Sequence, residues 1–86
     1  MNILDDLKSY FIVLYDSLPK RTITTFAKTP HKELFRYHYT IGLSIRNTLL
    51  ANNESLTRAF LNAGIESTDD MSALIINLFH VYVNAK

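Results

Sequence analysis

Apolar residues recur along this chain at every third or fourth position and rarely at every second, so the pattern predicts helices throughout. The first helix is expected from about Ile3 to Ser17. Ile3, Leu7, Tyr10, Phe11 and Leu14 form one stripe, and Leu4, Ile12, Val13 and Tyr15 widen it. Asn2 is placed to cap this helix, and Asp5 and Asp6 suit the positive end of its dipole. Pro19 opens a second segment, Lys20 to Ala27, with Ile23 and Phe26 as its apolar side. Its three threonines lower its helix propensity. Thr29-Pro30 then reads as a helix start, a capping hydroxyl followed by proline at the first helical position. The third helix is expected to reach about Leu50, with Leu34, His38, Ile41, Ile45 and Leu49 on its inner face.

Gly42 falls beside that stripe. Glycine inside a helix costs ~1 kcal/mol against alanine, so close approach of another helix is the expected offset. Asn52 or Asn53 can cap a fourth helix, about Glu54 to Asn62, with Leu56, Phe60 and Leu61 inward and Ala63-Gly64 as its stop. Ser67-x-x-Asp70 has the form of a capping box for a last helix, about Asp69 to Val83. Met71, Leu74, Ile75, Leu78 and Tyr82 form its stripe, and Ile76, Phe79 and Val83 sit off it. That helix is apolar around much of its circumference, so it is either central or carries an interface. The expected fold is all-α: one domain over residues 1–86, a compact bundle of four to five helices with the third and fifth as the central pair.

Composition narrows the chemistry. The absence of cysteine excludes disulfides, thiolate metal sites and a thiol nucleophile. Asp5 and Asp6 stand where a signal peptide would carry Lys or Arg, and no apolar run reaches the ~18 residues of a membrane span. The expected location is therefore cytoplasmic, with no membrane partner. Two glycines leave no phosphate-binding loop, and no nucleophile-plus-base arrangement is readable. His31 and His38 lie seven residues apart, about 10 Å along a helix, too far to share an ion. No enzyme activity, metal or cofactor is expected.

The net charge is only +1, but it is segregated: −2 over residues 1–19, +5 over 20–46 and −2 over 47–86. Lys20, Arg21, Lys28, Lys32 and Arg36, with Tyr37 among them and Phe35 and Tyr39 nearby, make a candidate partner-binding strip.

A second constellation is His38, Gly42, Ile45, Arg46 and Asn47, answered by Asp69-Asp70-Met71-Ser72. Arg46 is a planar donor suited to a carboxylate, and Asp69 or Asp70 is the expected partner. Asn47 is placed to satisfy loop backbone groups. His38, Gly42, Arg46, Asn47, Asp69 and Asp70 read better as a structural lock between two helices than as a catalytic set. These positions resemble a small helical bacterial domain family of unknown function over about residues 18–83. Members read His, Gly four residues on, Ile-Arg-Asn, then an Asp-Asp-(Met/Ala)-Ser helix start. The family often has glycine at position 40 and an aromatic at 44, where this chain has Thr40 and Ser44. The resemblance implies architecture and no activity.

Three functions fit. The first is a non-enzymatic inhibitor that binds a larger protein with an acidic surface, as an immunity protein, an antitoxin or a phage anti-defence protein. The second is a nucleic-acid-binding module using residues 20–46. The pI near 8.0 argues against it, because a nucleic-acid-binding domain usually exceeds about 9. The third is a homodimer or larger homo-oligomer built through the last helix.

Overall fold

Among the described residues, four α-helices and three tighter or wider turns pack around a long fifth helix at the C-terminal end, giving an all-α bundle. A computed structural model describes residues 3–86. The helices are α1 (Ile3–Ser17), α2 (Lys20–Lys28), α3 (Ile41–Ser44), α4 (Glu54–Asn62) and α5 (Thr68–Asn84). Asn2 and the side chains of Ile3 and Leu4, placed above in the first helix, lie outside the described residues. Among the described residues no helix is long and apolar enough to cross a membrane.

The core is built on α5. Phe79 is fully buried and meets Phe11 of α1 at 5.3 Å and Phe26 of α2 at 5.4 Å between ring centroids. Leu7, Leu14, Ile23, Leu34, Ile41, Ile45 and Leu56 close around Met71, Ile75 and Ile76. The buried face of α5 is therefore Met71, Ser72, Ile75, Ile76, Phe79 and Val83. This corrects the stripe drawn from sequence. Leu74 and Leu78 are exposed, while Ile76, Phe79 and Val83 are core. A helix apolar on nearly every side does not reveal its phase by periodicity. Leu61, Ile12 and Val13, read as apolar contributors to their helices, are exposed as well.

Termination follows local chemistry. The Asn53 side chain accepts from the Leu56 amide at 3.0 Å and starts α4. Gly64, at φ +89°, ends it: its amide donates to Leu61 O at 3.0 Å and the Ile65 amide donates to Phe60 O at 2.9 Å. That double bond with a left-handed glycine is a Schellman stop. The Ser67 hydroxyl accepts from the Asp69 amide at 3.1 Å and opens α5.

The third predicted helix is not continuous. Residues His31–Tyr37 form a 3-10 turn, α3 is one turn long, Ile45–Leu49 widen into a π-turn and Leu50–Asn52 tighten again. Thr40 leaves the helical region at φ −115°, ψ −88°. The stretch Tyr37-His38-Tyr39-Thr40 is aromatic and β-branched, with low helix propensity. Side chains also compete for backbone acceptors here: the Thr48 hydroxyl donates to Ser44 O at 2.6 Å, and Asn52 Nδ2 donates to Thr48 O at 2.9 Å. The Thr29 hydroxyl does not cap this stretch. It turns back to Thr25 O at 2.8 Å and to the Tyr37 hydroxyl at 2.9 Å.

Candidate functional site

The irregular stretch is fastened to α5 by Arg46, whose side chain is 14% exposed. Its Nη1 donates to Ser72 Oγ at 3.0 Å, and its Nη2 donates to His38 O at 3.2 Å. Ser72 is fully buried and its hydroxyl donates in turn to Asp69 O at 3.0 Å. Arg46 Nε and His38 Nε2 each lie 3.8 Å from Asp69 Oδ1. One guanidinium thus ties the 38–40 turn, the π-turn and the first turn of α5 together.

Only part of the expected lock forms this joint. His38 contributes its carbonyl and ring, and Asp69 is the nearer carboxylate. Asp69 is 63% exposed and 3.8 Å away, so solvent screens the ion pair to well under about 1 kcal/mol. The hydrogen bonds to Ser72 and the His38 carbonyl are the stronger attachments, because a charged donor in a half-dry site is worth ~1.5–3 kcal/mol. Asp70 and Asn47 are exposed, and among the described residues neither side chain makes a hydrogen bond or ion pair. Ser72, the last residue of the Asp69-Asp70-Met71-Ser72 motif, is the member to which the residue pattern gives no part in the lock. A serine at a core position of an otherwise apolar face is the signal that marks it.

Gly42 sits inside the same joint. A Cβ there would lie 3.2 Å from Arg46 Nη1, 3.3 Å from Ile76 Cδ1 and 3.3 Å from Tyr37 O. These separations are tight for carbon. The glycine therefore allows α3, the preceding turn and α5 to close on one another.

Beside the joint runs a groove of about 510 Å³ between the His31–Tyr37 turn, the 38–40 turn and α5. Leu34, Phe35, Tyr39, Ala73 and Ile76 supply its apolar lining, and His31, Lys32, His38 and Asn77 its polar one. Ile76 and His38 belong to both groove and joint, so the joint fixes two of the groove's walls. Phe35 and Tyr39 are 73% and 80% exposed, the two most exposed aromatic rings among the described residues.

The expected basic strip is divided by the fold. Lys32 lines the groove. Arg36 is ion-paired to Glu33. Lys28 ends α2, whereas Lys20 and Arg21 begin it, about 12 Å away along the axis. Tyr37 is not a free contact residue: its ring packs edge-on against Phe26 at 4.9 Å, and its hydroxyl bonds Thr29. His31 does meet a histidine, but it is His80, with ring centroids 6.5 Å apart.

A family model described as Domain of unknown function (DUF6794) matches residues 5–83. No curated protein and no solved structure matches the chain.

Proposed function

We propose a function from the surface of the molecule, because the chain belongs to the DUF6794 domain family and that family is described as of unknown function. In this reading the protein is a small binder of a larger protein and acts by occupying its surface, as an inhibitor of the immunity, antitoxin or anti-defence kind does. The interface is the face made by residues 31–40 and the adjoining side of α5. The observation that carries the reading is the pair Phe35 and Tyr39, both mostly exposed on the rim of a largely apolar groove. Exposed aromatics that flank a concave apolar surface are the usual anchors of protein interfaces, and leaving them in water is otherwise unfavourable. The partner is expected to be acidic on the contacting side and the protein to work in the cytoplasm, without cofactor or catalysis. The experiment is affinity capture from the native host with the intact chain as bait, followed by light scattering of the purified complex. One larger protein in fixed molar ratio supports the reading. Recovery of the bait alone, as monomer or dimer, contradicts it.

A homo-oligomeric reading has one observation of its own. Leu74, Leu78 and Val81 form an exposed stripe along α5, about 100° round the helix from the groove residues Ala73 and Asn77. The same scattering measurement separates the two.

A further inference from the structure

Within the protein-binding reading, on which this inference rests, we infer that the groove takes an acidic peptide segment of the partner. One large apolar side chain sits between Phe35, Tyr39 and Ile76, and a neighbouring carboxylate is set against Lys32.

Size and shape point to a side-chain anchor. A volume of about 510 Å³ falls within the range of about 300–1,000 Å³ typical of recognition pockets. Two of the walls are exposed rings, so a ligand seated in the groove covers them only if it continues past the rim, as a chain segment does.

The sign of the charge comes from what lines the groove. Lys32 is its only formally charged lining residue, and no carboxylate lines it. Of the carboxylates around it, Glu33 is engaged with Arg36 and Asp69 with Arg46 and His38, while Asp70, one turn before Ala73 on α5, is unpaired among the described residues and adds negative charge at the Asp69 end. Among the described residues Lys32 has no ion pair. The groove is also polar along its length. Its His31–Lys32 end lies by His80, ten residues along α5 from Asp70, or about 15 Å. Its other end lies beside Asp69 at the start of the helix. The carboxylates of a bound segment therefore belong at the Lys32 end and are disfavoured at the Asp69 end. Nucleic acid needs a continuous cationic track along its backbone. A single lysine in the lining, with Lys20 and Arg21 at the far end of α2, does not supply one.

The test is selection of a phage-displayed random dodecamer library on the immobilised full chain at low salt. The enriched peptides are expected to carry Asp or Glu within a few residues of an aromatic or large aliphatic residue. Their binding should fall about tenfold on Lys32→Glu and more on Phe35→Ala, and should weaken with added salt. Lys20→Glu, at the other end of α2, should leave it unchanged. Circular dichroism of each variant checks that the fold persists. Enrichment of neutral or basic peptides, no enrichment, or equal binding to Lys32→Glu overturns the inference. So does oligothymidylate binding that Phe35→Ala abolishes. A host protein captured in fixed ratio alongside any of these results leaves the protein-binding reading standing and removes only the acidic segment.

Discussion

Helix α2 and the stretch from His31 to Leu49 both pack against α5, yet they are held there by different means. α2 is a regular helix whose inner side is Ile23 and Phe26, with Phe26 stacked on Phe79. Its polar residues face water, as in the exposed bond from the Thr24 hydroxyl to Lys20 O. The 31–49 stretch buries Leu34, Ile41, Ile45 and Leu49, but its backbone passes through three helical geometries and a turn. Its position depends on a few directional contacts: the guanidinium of Arg46 on Ser72 and His38, and the missing side chain of Gly42. Apolar burial alone suffices to seat a regular helix. An irregular segment needs specific fasteners, and here those fasteners also orient walls of the groove that Phe35 and Tyr39 line. π-turns within helices are frequent near functional sites, and Arg46 lies in this one.

Substitutions in the two regions should separate sharply. Gly42→Leu should have the largest effect, a loss of about 3 kcal/mol or more in chemical denaturation, because it overpacks against Ile76 and displaces Arg46 at once. A rise in stability, as helix propensity alone would give, would show that the contact is not tight. Arg46→Ala should cost about 3 kcal/mol through its two hydrogen bonds, and Arg46→Lys most of that, since one ammonium cannot reach both acceptors in the same fork. Asp69→Asn should cost under about 1 kcal/mol, because the ion pair is long and solvated. An Asp69→Asn loss equal to that of Arg46→Ala would move the weight of the joint from Ser72 to the carboxylate. Thr24→Ala on α2 and Asp70→Asn at the start of α5 should both stay within about 0.5 kcal/mol.

The same contrast explains what could be read from sequence. The end of α1, the bounds of α4, the Asn53 and Ser67 caps and the Gly64 stop follow from local signals, and the structure has them. The break at Thr40 was hidden, since no glycine or proline marks it. Leu34, Ile41, Ile45 and Leu49 keep a helical spacing even though the backbone between them does not. The partnership of Arg46 with the start of α5 was legible from residue types. The choice of Ser72 over Asp70 was not, because it depends on the phase of a helix that is apolar nearly all round. Phe35 and Tyr39 stood out only as neighbours of a basic strip. Their exposure comes from the 3-10 turn and the break after it, which turn them away from the core that receives Leu34 and Tyr37.

The proposed partner-binding face is the one made by residues 31–40 and α5, positioned by the Arg46 joint. The most direct measurement compares two double variants in co-purification with the host partner. Phe35→Ala with Tyr39→Ala removes the exposed rings over the groove, and Leu74→Ser with Leu78→Ser alters the outer stripe of α5, about 100° round the helix from Ala73 and Asn77. The account predicts that the first variant unfolds at nearly the wild-type temperature and loses the partner, while the second keeps it. Retention of the partner by the first variant and its loss from the second would contradict the account and place the interface on the outer stripe of α5.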